Sequence, residues 1–495
     1  MQPVVFCNNI IYIKNSFLLK ISLLHIYIIY ATVIIKVKIG IDTERISNMT
    51  DIIFSFDVED YIHKIGADGI LRSIQLLSKH NVRGCFNVVA RLAMALEQWE
   101  RQDIIKALKE HEITSHTLDH SHHPTICEYT DLDDYNAALD IFLKTEGRAI
   151  NILKAIFDID EIPSACPPGI STSYVAHYGY AKLGVPVYDG DTIRDDKRGR
   201  PINFCNILTT GYNWGLEDHL FTMTKEEIKE AIYKVTQEKD LFVIWHHPQM
   251  AYLKNFWDGI NYNGVNTHPD NWKESPRHTD EDVERFYENF DYLLGLLKSD
   301  PEHFNFTTYS ELAKKHYGGV RKITKDVIVE LNKQLKEEFF PVTTPDSYCL
   351  TDIMYGCREL LQGKNEHICK DVYGFLYTPY TIEKEITLTK DEVIKGSYQI
   401  TDSFLPEKIV IDDKIIGPAD WLRAAMEILC GKKKVTVAPG PWQIDLDQFP
   451  WMKTISYKNN WVHSPDFKDE YLSNRFRMQS WTIRFDRETP RKVFD

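Results

Sequence analysis

The chain has 495 residues, more than one ordinary hydrophobic core holds, so two or three domains are expected. With 43% hydrophobic and 26% charged residues it reads as a folded globular protein, which excludes a disordered chain. Its 58 basic and 72 acidic residues give a net charge of −14, and no basic stretch stands out, which argues against a nucleic-acid partner. The nine cysteines are scattered, with no CxxC pair. Several, such as Cys85 and Cys205, sit in apolar strand-like runs, so reduced, buried thiols are expected.

Residues 1–48 stand apart. Phe17 to Ile35 is an apolar run long enough to span a bilayer, interrupted by Lys20, Ser22 and His25. It is dominated by Ile, Lys, Asn and Tyr, residues of A/T-rich codons, and it ends just before Met49. A start codon set too far upstream is the favoured explanation over a signal anchor. The protein is then cytoplasmic if translation begins at Met49, and membrane-anchored if the segment is genuine.

From residue 51 onward, apolar runs alternate with helical periodicity. Residues 51–56 read as a strand ending in an acidic cluster. Residues 68–80 carry Ile70, Ile74 and Leu77 at helical spacing and stop at Asn81. A strand over 82–89, a helix over 101–111 and a brief strand over 112–115 follow. Residues 162–166 form a strand running into Pro167-Pro168-Gly169, then 174–183 a helix and 185–188 a strand. A helix over 224–238 precedes the most apolar strand, 241–245. A long helix over 279–298, a strand over 304–307 and a helix over 311–316 close the series. This strand–helix–strand order implies parallel strands with right-handed crossovers, hence an α/β barrel or a doubly wound sheet. In such folds chemistry collects at the carboxyl ends of strands.

Three of those ends are chemically loaded. The first strand runs into Asp57-Val58-Glu59-Asp60, three carboxylates in four residues, which repel one another unless a cation is present or the turn is simply solvated. The strand 112–115 leads into His116-Thr117-Leu118-Asp119-His120, whose two imidazoles suit one cation if the segment is helical or tightly turned; a His-rich polar loop is the plainer alternative. The strand 241–245 delivers His246-His247-Pro248, where a histidine can act as a general acid or be a buried structural residue. The Pro167-Pro168-Gly169 turn could present an amide to an oxyanion, although most such turns are only turns. Residues 249–278, rich in Trp, Tyr, Asn and His, form either a substrate-shaping loop or a surface excursion.

This ordered set, from about residue 51 to 316, resembles the polysaccharide deacetylase (NodB homology, carbohydrate esterase family 4-like) family. The run Phe54-Ser55-Phe56-Asp57-Val58-Glu59-Asp60-Tyr61 is similar to the branch with an Asp-Val-Glu-Asp-Tyr first motif. Glu112 to His120 is the most specific match, fitting the family's His-Thr/Ser-x-x-His metal motif. The resemblance implies a distorted (β/α) barrel and a divalent metal, zinc by preference. It also implies an N-acetylated carbohydrate substrate, Asp57 as catalytic base, and His116 and His120 as metal ligands. The third ligand is Glu59, which faces the same way as Asp57 along a strand, with Asp60 as the alternative. His247 matches the catalytic acid, and Pro168 and Gly169 the oxyanion side. Where family members often carry an arginine that supports the base, this chain has Cys166. The function implied is removal of acetyl groups from N-acetylated sugars or polysaccharide. An allantoinase-like cyclic amide hydrolase and a non-catalytic carbohydrate-binding protein are the alternatives.

The domain organisation expected is a hydrophobic extension over 1–48, a deacetylase-like domain over 49–320 and a mixed α+β C-terminal domain over 321–495. In the last, residues 352–364 and 420–432 share Asp, Glu, Leu and a terminal Gly-Lys at matching offsets. They read as two amphipathic helices with C-terminal glycines, either an internal duplication or a coincidence. Trp421, Trp442, Trp451, Trp461 and Trp481 are core residues or sugar-stacking faces, the core being the commoner use.

Overall fold

Strand β1 (Thr50–Val58) is central to the sheet: Ile52, Ile53, Phe54, Phe56 and Val58 are buried, as in a strand covered on both faces. It pairs in parallel with β2 (Cys85–Val88) through its second half and with β9 (Leu241–His246) through most of its length. Its first residues pair with β10 (Phe304–Phe306). The sheet continues through β3 (Glu112–Ser115), β4 (Ser164–Ala165), β5 (Val187–Tyr188) and β7 (Ile207–Thr209), all in parallel. On the other side β8 (Trp214–Gly215) lies parallel to β9, and β6 (Ile202–Phe204) is antiparallel to β7. The fold is therefore mixed α/β with a central sheet of parallel strands. Among the described residues no ladder joins β7 to β8, so the expected barrel is not closed by strand pairing.

The structure, a computed structural model, describes residues 49–169, 171–190, 193, 198–262, 264–316, 320–343, 345–455 and 462–485. The expectations placed on residues 1–48 and on Trp461 lie outside them. Among the described residues no helix is long and apolar enough to cross a membrane.

Helix Lys64–Lys79 begins four residues before the expected start, because the Asp60 carboxylate accepts from the amides of Ile62 and His63 and organises the turn ahead of it. The helix expected over 224–238 is Lys225–Thr236, started by a capping box between Thr224 and Glu227. Strands β6 to β8 have no counterpart among the expected elements, nor do several helices, among them Ala90–Gln98 and Tyr135–Phe157. The longer helix buries Ala138, Leu139, Phe142, Ala149, Ile150 and Leu153, a helical spacing that was present in the sequence.

Residues 320–485 share the larger hydrophobic core with the central sheet, and Arg484–Phe485 adds an antiparallel strand to β6. The same order of elements occurs twice here. Lys322–Thr324 leads into helix Lys325–Glu337, and helix Leu350–Leu361 leads into Glu366–Ile368, the two strands pairing antiparallel. Ile386–Thr389 leads into helix Lys390–Ser397, and helix Pro418–Leu429 leads into Lys434–Val437, again antiparallel. Asp352 and Asp420 are both fully buried and accept from the amide three residues earlier, and Gly363 and Gly431 take positive φ after their helices. Trp421 and Trp481 are core, whereas Trp451 is half exposed.

Candidate active site

The alternation of β1 decides where its carboxylates go. Ile53 belongs to a small inner core with Cys85, Val187, Leu208, Leu241 and Val243, while Ile52, Phe54, Phe56 and Val58 belong to the larger core on the other face. Period two therefore puts Ser55 and Asp57 on the inner side, and Glu59 follows them at the strand's end. The loop after β3 is tightly turned rather than helical: Thr117 and His120 both have positive φ, and the Thr117 hydroxyl accepts from the His120 amide at 3.0 Å. The carbonyls of Thr117 and Leu118 accept the first amides of helix Ala90–Gln98, which anchors the loop.

These two segments bring Glu59, His116 and His120 together. Glu59 Oε2 lies 3.3 Å from His116 Nε2 and 2.8 Å from His120 Nε2. Its Oε1 accepts from Gln249 Nε2 at 2.9 Å and Trp257 Nε1 at 3.1 Å. Burial alone would raise the Glu59 pKa, but the charges of His120 and His247 and the imidazole hydrogen bonds hold it well below the usual carboxylate range. For His120 burial works downward, and the Glu59 and Asp258 carboxylates outweigh it, raising the imidazole to about 10. Each ring is oriented from behind: His116 Nδ1 lies 3.0 Å from the Cys166 carbonyl and His120 Nδ1 3.2 Å from Asp258 Oδ2. Both Nε2 atoms thus face one carboxylate oxygen, and the three ligand atoms lie within 4.8 Å of one another. Ligands about 2.0–2.1 Å from a tetrahedral zinc are about 3.3 Å apart, so this trio fits such an ion.

Asp57 sits beside them, 4% exposed. Its Oδ1 accepts from Asn87 Nδ2 at 2.8 Å and from the Tyr212 hydroxyl at 2.7 Å. Its Oδ2 lies 3.6 Å from His247 Nε2. The other nitrogen of His247 is 2.6 Å from Glu217 Oε1, and the second Glu217 oxygen is 2.5 Å from His246 Nδ1. Burial would depress His247, but the charges of Glu59, Glu217 and Asp57 raise it to about 10. Helix Lys64–Lys79 presents Gly66 and Gly69 to this segment. A Cβ on Gly69 would collide with the Pro248 carbonyl, and one on Gly66 would lie 2.9 Å from Gln249 Cβ. Only glycine lets the helix hold His247 and Gln249 this closely.

Asp60 is not gathered into the trio. Its oxygens are spent on the turn amides and on His63 Nδ1 at 2.9 Å. Pro168 is buried and Gly169 exposed with φ +55°. Cys166 stands at the position where the family resemblance implies a supporting arginine, its sulfur 3.2 Å from the Tyr212 hydroxyl. A second trio of Asp57, His116 and Cys166 has ligand spacing too. Burial and the Asp57 and Asp189 charges push that thiol well above its ordinary value, which disfavours a thiolate ligand.

Several residues at the site were not singled out from sequence. Tyr212 stacks on Trp245 with centroids 5.6 Å apart, and Asn87 also donates to Asp189 Oδ2 at 2.9 Å. Asp189 is fully buried, and burial with the Asp57 charge pushes it up to about 6 against the hydrogen bonds of Ser164 and Asn87. Gln249, Trp257 and Asp258 come from the 249–278 stretch, whose first part therefore lines the site, while most of 265–274 is exposed. The only sequence signals for these were a polar residue near a strand end (Asn87, Asp189) and the composition of that stretch.

No protein-family model matches this sequence, and no curated protein does. Solved structures do. A probable polysaccharide deacetylase from Pseudomonas aeruginosa PAO1 is 12% identical with a TM-score of 0.35, over 54% of this chain and 90% of that one. A CE4 family pseudoenzyme from Bacillus anthracis is 12% identical with a TM-score of 0.30, over 54% and 66%. The Puue allantoinase is 14% identical with a TM-score of 0.35, over 54% and 90%. These three differ in activity, and likeness at this level selects none of them.

Proposed function

We propose that the protein is a metal-dependent hydrolase that removes acetyl groups from N-acetylated sugars or polysaccharide. The observation that carries this reading is the convergence of Glu59, His116 and His120 on one point, with Asp57 and His247 3.6 Å apart beside them. The three residues would hold a divalent ion, zinc by the two imidazoles and one carboxylate; bound there it would acidify water and polarise an amide carbonyl.

Asp57 is the base. Its Oδ1 is committed to Asn87 and Tyr212, which fix the carboxylate and leave Oδ2 to take the proton of the attacking water. His247, kept protonated by the Glu59 and Glu217 carboxylates, gives its Nε2 proton to the departing amine as the C–N bond breaks and acetate leaves. Gly169, in the turn stiffened by Pro168, offers the amide for the oxyanion.

The test is acetate release from a panel of N-acetylated oligosaccharides, with metal analysis of the same preparation. One bound zinc per chain and acetate release are expected. Metal-bound protein that opens a cyclic ureide and releases no acetate would replace this reading by the allantoinase-like one.

A pH profile checks the acid. Removing the Glu217 charge lowers the His247 pKa, so in Glu217→Gln the proton donor is lost at lower pH. The basic limb of kcat/KM is expected to move down by about 1–2 pH units while the acidic limb stays. An unmoved basic limb would remove His247 from the acid role.

A further inference from the structure

We propose a second, non-catalytic binding groove that takes a neutral, hydroxyl-rich sugar chain, formed where helix Tyr135–Phe157 meets residues 373–377 and 402–404. The cavity there has a volume of about 650 Å³, within the range of small-molecule sites, and shares no lining residue with the Glu59–His116–His120 site. The site stands apart from the hydrolase reading, because it concerns binding alone.

Three aromatic rings build the apolar side. Tyr135 and Phe404 meet edge to face at 4.6 Å, and Tyr373 lies 5.3 Å from Phe404. Tyr377, 54% exposed, adds a ring to the wall. Exposed tyrosine in a wall of this kind is matched to a ligand with an apolar face and polar edges. Tyr135 is 7% exposed, and its hydroxyl is a buried polar atom without a hydrogen-bond partner.

Three carboxylates supply acceptors, and each has one oxygen already committed. Asp133 Oδ1 is held by Arg475, Asp402 Oδ1 by Arg358 at 2.6 Å, and Asp134 Oδ1 by the amides of Asn136 and Ala137. The second oxygen of each remains for a donor. Arg475 pairs with Asp133, Arg358 with both Asp402 and Glu359, and Lys182 lines the same groove, so part of the acidic charge is offset. Acceptors already partnered by arginines or backbone amides, against aromatic rings, suit a ligand that brings many hydroxyl donors, an apolar C–H face and no charge. A pyranose chain has all three properties.

Hydrogen exchange on the full chain, in the Asp57→Asn background to prevent turnover, tests this with the N-acetylglucosamine hexamer as probe. Added hexamer is expected to protect peptides over 133–139 and 373–377. Tyr377→Ala should weaken that protection about tenfold in hexamer concentration, and Ser403→Trp, which fills the groove, should abolish it. Melting temperatures near the parent's confirm that both variants fold. Absence of protection in these peptides, or protection that survives Ser403→Trp, would overturn the groove. Tighter binding of the fully deacetylated, cationic hexamer would overturn the neutral class. Protection in this background, together with no acetate release by the protein that keeps Asp57, would leave the groove standing and count against the hydrolase reading only.

Discussion

Asp57→Asn is expected to lower acetate release about 10²–10⁴-fold while metal content stays at one ion per chain. The asparagine keeps the volume of the side chain, and its carbonyl oxygen can still accept from Asn87 or Tyr212. What it loses is the basic oxygen facing His247. Because the change touches a proton acceptor and no member of the Glu59–His116–His120 trio, kcat should fall far more than KM rises. Full activity in this variant, with metal bound, would end the assignment of the base. A fall accompanied by loss of metal would instead place Asp57 among the ligands, as the second trio with His116 and Cys166 allows.

His116→Ala is expected to remove the metal itself. Wild-type protein in zinc at a hundredfold excess over the dissociation constant should gain about 2.7 kcal/mol, read as a rise in melting temperature. The variant should gain nothing and contain no zinc by elemental analysis. It also leaves Glu59 Oε2 with only His120, and a buried carboxylate with fewer donors costs stability, on the order of 1–3 kcal/mol. Glu59 keeps Gln249 and Trp257, so the apo protein should still fold. A variant that binds zinc as wild type does would show that these residues do not form the metal centre. Both readouts are independent of turnover.

How much of this was legible depends on distance along the chain. The carboxylates of 57–60 and the imidazoles of 116–120 are each local clusters after an apolar strand, and a cluster is visible to anyone reading residues in order. The choice between Glu59 and Asp60 rested on strand alternation, and the structure turns Glu59 to the histidines and Asp60 into the helix turn. By contrast Gln249 and Trp257 reach Glu59 across 190 and 198 residues, and Tyr212 reaches Asp57 across 155. Nothing in a Gln, a Trp or a Tyr within a loop announces such a contact. The helix Tyr135–Phe157 is a different case, since its periodicity was present and only Gly147 and two Thr/Glu positions dilute it.

By itself the sequence determined the parallel α/β order, the strand ends at which polar residues would collect, and which groups are the candidates for metal and proton chemistry. It determined these because apolar periodicity and local clusters are properties of neighbouring residues. Only the tertiary structure decided how the cluster is wired. It set which oxygen of Glu59 meets the histidines, and that Asn87 and Tyr212 hold Asp57. It also put Gln249, Trp257 and Asp258 in the wall of the site. Those outcomes depend on burial, where an unpaired charge is costly and each buried polar atom must find a partner from whatever segment packs against it.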